Sequence, residues 1–150
     1  MKDKNMSDKV IWLIDENKIE LRAFQRELAG RLGANVKVEA LDPYSKMQDY
    51  VKKILSDKRT VAIIIDQKLK NTGKAHYTGT ELAEYLRRIN QKMPIYILTN
   101  YPEDISSDEE LNVEYILGKS DFADDVKANR NVARILRHID TYTNILNARG

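Results

Sequence analysis

The chain alternates between short apolar runs with the pattern of strands and longer stretches with the spacing of helices. Val10 to Ile14 (VIWLI) and Val61 to Ile65 (VAIII) are uninterrupted and rich in β-branched residues. Such runs belong to strands covered on both faces in a parallel sheet. Val36 to Ala40 alternates, while Ile95 to Leu98, introduced by Pro94, and Val113 to Leu117 complete a set of five predicted strands. Ile19, Leu21, Phe24, Leu28 and Leu32 keep one apolar helical face up to Gly33, a natural helix stop. Asp42 and Pro43 offer a cap and a first-turn proline to a helix turning Met47, Tyr50, Val51, Ile54 and Leu55 inward. Leu82, Ala83, Leu86 and Ile89 mark another helix. A long final one runs from about Ala123 to about Asn147, with Val132, Leu136, Ile139, Tyr142 and Leu146 on one stripe. Between Tyr101 and Asn112 the only aliphatics are Ile105 and Leu111, so any helix there is short; Ser107 with Glu110 would make its capping box. Strands alternating with helices predict an α/β fold with a parallel sheet.

Composition narrows the function. The 150 residues suit one domain, with a polar tail over 1–8, a body over 9–147 and a short tail over 148–150. A chain of this size buries roughly two thirds of its unfolded surface and carries a full core. The net charge of +2 arises from 25 basic and 23 acidic residues spread along the chain, so no nucleic-acid partner is expected. There is no cysteine, which removes disulfides and thiolate metal sites. No apolar run approaches the roughly 20 residues of a membrane span, and MKDKNMSDK is too polar for a signal peptide. These features predict a cytoplasmic protein with no membrane partner.

Each of four strands delivers a functional group at its carboxyl end: Asp15 and Glu16, Asp66, Thr99 and Lys119. Ligands of open parallel sheets bind in the crevice beyond those ends. Taken singly, Asp15 or Thr99 reads as a helix cap and Lys119 as a solvated lysine. Together, over residues 9 to 147, they resemble the receiver domain of two-component response regulators. That family carries an acid pair after the first strand, an aspartate after the third, a threonine or serine after the fourth and a lysine after the fifth.

The resemblance implies a doubly wound, flavodoxin-like sheet of order 2-1-3-4-5 with helices on both faces and a long C-terminal helix. It implies that Asp66 accepts a phosphoryl group from a histidine kinase or a phosphotransfer protein. Thr99 and Lys119 would contact the phosphoryl oxygens. Mg2+ would be held by Asp15, Glu16, Asp66 and the backbone carbonyl of Lys68, an all-oxygen set that suits this hard cation. Such a protein is a phosphoacceptor rather than an enzyme. With no effector domain in these residues, its output would pass to a protein partner.

Several positions depart from the family pattern. Ser120 stands where a proline usually follows the lysine, and Asn100 where a small residue follows the threonine. Ile116 occupies the place of the usual aromatic switch, with Tyr115 one position away and on the opposite face of the strand. The segment between Asp66 and Gly79 is longer than usual and carries Lys68, Lys70, Lys74 and His76. The fourth helix, fifth strand and fifth helix usually present the family's switching surface, yet Pro102 to Asn112 is acidic and poor in apolar residues.

Three other readings compete. A pseudo-receiver would keep the fold and the site residues as a protein-interaction module with weak or no phosphorylation. A haloacid-dehalogenase-like phosphatase usually has an acid two residues beyond its aspartate nucleophile, where this chain has Lys68. A flavodoxin-like cofactor binder needs a phosphate-cradling loop after the first strand, and DENKIE has the wrong chemistry for one. Beyond about Asp140, Tyr142, Ile145 and Leu146 would be free to meet a second copy of the chain, giving a homodimer through the C-terminal helix.

Overall fold

The structure is a computed structural model that describes residues 9–34, 36–70 and 73–149; the expected tail over 1–8 and Gly150 lie outside the described residues. Five strands, β1 (Lys9–Ile14), β2 (Val36–Leu41), β3 (Thr60–Asp66), β4 (Ile95–Thr99) and β5 (Tyr115–Gly118), form one sheet of order β2-β1-β3-β4-β5. All four pairings are parallel. The helices are α1 (Lys18–Leu32), α2 (Gly79–Ile89), the short α3 (Ser107–Glu110) and the long α4 (Asp125–Arg149). α4 therefore takes in Ala148 and Arg149, which the sequence assigned to a tail.

The uninterrupted apolar runs serve both faces of the sheet. Trp12, Ile14, Ile63, Ile65, Ile95 and Ile97 face a core completed by Leu82, Ala83 and Leu86 of α2. Their neighbours Ile11, Leu13, Ala62, Ile64, Tyr96 and Leu98 face a second core completed by Leu21 and Leu28 of α1 and by Val132, Ile135 and Ile139 of α4. Alternate residues point to opposite faces, so an element buried on both must be apolar throughout.

Three expectations are corrected. The helix expected after Pro43 starts only at Asp49 and is short; irregular turns over 44–48 lead into it, and its last five residues, Val51–Leu55, form one π-helical turn. Tyrosine hydroxyls replace the helical ladder: Tyr50 Oη accepts the Tyr44 N–H at 2.8 Å, and Tyr77 Oη donates to the Tyr44 carbonyl. Ser56 accounts for the wide turn, because its Oγ donates to Lys52 O at 2.7 Å and its backbone N–H is left to reach Val51 O at 2.9 Å. The capping box of α3 is Ser106 with Glu109, one residue before the expected pair.

The third correction concerns α4. Tyr142 is not free but buried in its own domain, where Asn90 Nδ2 donates to its hydroxyl at 3.2 Å. The tail of α4 crosses to the α2 side, leaving Leu146 exposed and Ile145 half-buried beside Ile89. Among the described residues, no helix is long and apolar enough to cross a membrane.

Candidate functional site

Strand register assembles the site. Ile14 pairs with Ile65, so Asp15 follows β1 beside the place where Asp66 ends β3. Asp66 pairs with Leu98 and Thr99 with Gly118, which staggers Thr99 and Lys119 around the same crevice. Asp15, Glu16, Asp66, Lys68, Thr99, Asn100 and Lys119 all line one pocket of about 340 Å³. The structure thus brings every candidate residue of the sequence to one place.

Lys119 Nζ lies 2.7 Å from Asp66 Oδ1 and 3.3 Å from Glu20 Oε1. Asp66 Oδ1 is buried and, that ion pair apart, has no hydrogen-bond partner among the described residues; Oδ2 accepts the Lys68 N–H at 3.0 Å. Burial raises the Asp66 carboxyl above its ordinary pKa, and the Lys119 ammonium offsets part of that rise. Burial works against the charge of Lys119 in turn, but Asp66 outweighs it and holds the lysine protonated. Asp15 is pushed up to about 6, first by burial and then by the nearby Asp66 charge, although its Oδ1 accepts the Asn17 N–H at 3.1 Å. Thr99 Oγ1 accepts the Tyr101 N–H at 3.1 Å, leaving its own proton to donate into the pocket.

This donor set fits a hard cation. Two buried carboxylates with raised proton affinity, one with an oxygen lacking a hydrogen bond, carry negative charge that a cation would relieve. Magnesium commonly uses one or two carboxylates and keeps several waters. Among the described residues, no three His, Cys, Asp or Glu side chains converge as a ready-made cage, and Glu16 stands at the pocket wall.

Two local features differ from the family pattern in consequence as well as in sequence. The Lys119–Ser120 peptide is trans, like every described peptide bond. The described residues of the long segment after Asp66 are held to the domain, since Leu69, Ala75 and Tyr77 are buried in the core while Lys68, Lys70, Lys74 and His76 stay exposed.

The sequence reading missed Glu20. It is the fourth residue of an N-cap pattern, Asn17 to Glu20, in which Asn17 Oδ1 accepts the Glu20 N–H at 3.1 Å and Asn17 Nδ2 donates to Glu20 Oε2 at 3.0 Å. That cap leaves Oε1 turned to Lys119. An acid three residues after a capping residue was the available signal.

The architecture is that of the response-regulator receiver domain. Response regulator TrrA of Thermotoga maritima, solved in complex with Mg2+–BeF, superposes with a TM-score of 0.65 at 19% identity, covering 85% of this chain and 98% of its own. A receiver domain from Clostridium thermocellum gives 0.64 at 17%, covering 91% and 98%. A CheY-like receiver from Methanospirillum hungatei gives 0.63 at 20%, covering 91% and 97%. Neither a family model nor a curated protein matches the sequence.

Proposed function

We propose that this chain is a phosphoacceptor in histidine-to-aspartate signalling, with Asp66 as the accepting residue. The observation that carries this reading is the Asp66–Lys119 ion pair, set at 2.7 Å in a pocket shared with Asp15 and Thr99. Phosphoryl transfer asks for a nucleophile, compensating charge and positioning, and each is supplied here by a different strand end. An Asp66 carboxylate oxygen attacks phosphorus, the P–N bond of a phosphohistidine breaks, and the imidazole leaves with the bonding pair and takes up a proton. The product is an acyl phosphate whose oxygens meet the Lys119 ammonium and the Thr99 hydroxyl.

Mg2+, held by Asp15, Asp66 and the Lys68 carbonyl with Glu16 close by, would supply further charge neutralisation. A histidine kinase or phosphotransfer protein is the proposed donor in the cytoplasm; TrrA has been solved in complex with the histidine kinase ThkA. The chain turns over no separate substrate and signals through a protein partner.

One observation favours the pseudo-receiver alternative. Glu20 faces Lys119 from the pocket rim, and Asn100 adds bulk there, so charge and space for a phosphoryl group are both reduced. Incubation with Mg2+ and acetyl phosphate followed by intact mass measurement separates the two. One added phosphoryl group on the wild type and none on Asp66→Asn supports the phosphoacceptor. An unmodified wild type leaves the interaction module.

A further inference from the structure

The residue after Asp66 is tied by both its backbone and its side chain to α2. Gln67 N–H donates to Leu98 O at 3.0 Å, and Gln67 O accepts the Gly79 N–H at 3.0 Å. Its amide grips the next residue twice, with Oε1 accepting the Thr80 N–H at 2.9 Å and Nε2 donating to Thr80 Oγ1 at 3.2 Å. Gly79 shows how close this approach is, since a Cβ there would meet the Asp66 carbonyl oxygen at 2.4 Å. A shift of the Asp66 backbone therefore pushes directly on the start of α2.

The chain of contacts continues across the surface. Thr80 is buried, and its hydroxyl donates to Glu109 Oε2 at 2.8 Å. The other oxygen of that carboxylate, Oε1, accepts the Ser106 N–H at 2.9 Å, and Glu109 N–H returns to Ser106 Oγ at 3.2 Å. Glu109 thus serves as the capping-box acid of α3 and as the link between α3 and α2. α3 has little other hold, for none of its residues is buried and Leu111 just beyond it is 82% exposed. Arg87 secures the exit from α3 by donating to Asn112 O at 3.0 Å, whereas Thr80 holds its first turn. An element with so few buried contacts sits at the low-stability end of a fold, where one hydrogen bond shifts its population.

We propose that Gln67, Thr80 and Glu109 form a hydrogen-bonded relay that couples the state of Asp66 to the short helix α3. The proposal builds on the phosphoacceptor reading for its biological input, but the coupling itself is a property of the unmodified protein. Its place is notable because β5 carries Ile116 and an exposed Tyr115 beneath Arg134, with the guanidinium carbon 3.7 Å from the ring centre. The relay reaches the acidic segment by a route that needs neither residue.

Amide hydrogen exchange read by mass spectrometry on the full chain tests it, with Thr80→Val to remove the hydroxyl and Thr80→Ser to keep it. Without any phosphodonor, Thr80→Val should speed exchange over 103–112 roughly fivefold, the effect of one lost hydrogen bond, and Thr80→Ser should match wild type. Adding Asp66→Asn should change exchange over 103–112 in the Thr80→Ser protein and leave it unchanged in the Thr80→Val protein. An equal response to Asp66→Asn in both backgrounds overturns the relay. In a separate arm, Mg2+ with beryllofluoride should alter both 66–70 and 103–112 in wild type, and only 66–70 in Thr80→Val. If no segment of wild type responds to beryllofluoride, the phosphoacceptor reading falls, and the Asp66→Asn comparison decides the relay by itself.

Discussion

Lys119 Nζ stands 2.7 Å from Asp66 Oδ1, an ion pair closed on one side by the core and open on the other to a pocket. Because Asp66 is almost fully buried, removing its partner leaves a charge that the fold tolerates poorly. Lys119→Met should cost about 1–3 kcal/mol at neutral pH, below the value for a wholly buried pair because the lysine side chain is 22% exposed. The loss should be full where Asp66 is ionised and fade as the pH falls and Asp66 takes a proton. Urea unfolding at two pH values measures this, and a pH-independent loss would contradict the ion pair as its cause.

Asp15 should be a destabilising residue in the metal-free protein. Its folded pKa of about 6 exceeds the ordinary 3.8, so between those values the native state holds more protons than the unfolded chain. Stability therefore falls as the pH rises through that window, and the penalty is complete above it. Asp15→Asn should raise stability by on the order of 2 kcal/mol above the window and by little near its lower edge. Thermal melts in a chelator at both extremes test the sign; a destabilised Asp15→Asn at the higher pH would refute it.

Magnesium should reverse that balance. A cation that binds the folded pocket stabilises the native state by mass action. Millimolar Mg2+ should raise the melting temperature of the wild type, with a smaller rise in Asp15→Asn. Identical responses in the two proteins would mean that Asp15 does not take part in holding the ion.

Glu20→Gln should speed acceptance of the phosphoryl group. Glu20 repels an incoming phosphoryl dianion and shares Lys119 with Asp66, but it is half-exposed and solvent screens it. An effect of about 0.5–1 kcal/mol on the barrier corresponds to roughly a two- to fivefold faster rate with acetyl phosphate. A slower rate would show that Glu20 positions Lys119 productively rather than competing for it.

Two glycines should respond oppositely to alanine. At Gly79 the new methyl would collide with the Asp66 carbonyl, costing about 1–3 kcal/mol or more. Gly30, inside α1 with open space around it, should gain roughly 0.5–1 kcal/mol. Denaturant midpoints of the two variants check both signs.

Truncation after Ile139 removes Tyr142, which the structure buries against Asn90 and the α2 side of the core. The shortened chain should therefore lose about 3 kcal/mol of its own stability, as for loss of a large buried aromatic. Sedimentation of the full chain at tens of micromolar, rather than of the truncated one, is the measurement that addresses a homodimer.

The sequence by itself determined the parallel sheet and the strand ends that carry Asp15, Asp66, Thr99 and Lys119, while the strand order followed from the family resemblance. Runs such as Val61 to Ile65 leave no polar face, and their short length and β-branched residues place them in a sheet covered on both sides. A functional group at each of four strand ends then marks the crevice, because parallel strands place all those ends on one side. What lay beyond reach was set by contacts between residues far apart in the chain. The apolar spacing of Met47, Tyr50, Ile54 and Leu55 had a helical period, but the hydroxyls of Tyr50 and Tyr77 meet 2.6 Å apart, and only 49–55 is helical, ending in the π-helical turn Val51–Leu55. Tyr142 looked free because a stripe on a helix does not say what covers it, and Asn90 lies 52 residues away. Glu20 and Thr80 gained their places only when α1 brought one to Lys119 and α2 pressed the other between Gln67 and Glu109. Periodicity reports which face of an element is buried, whereas the partner across that face is chosen by packing in three dimensions.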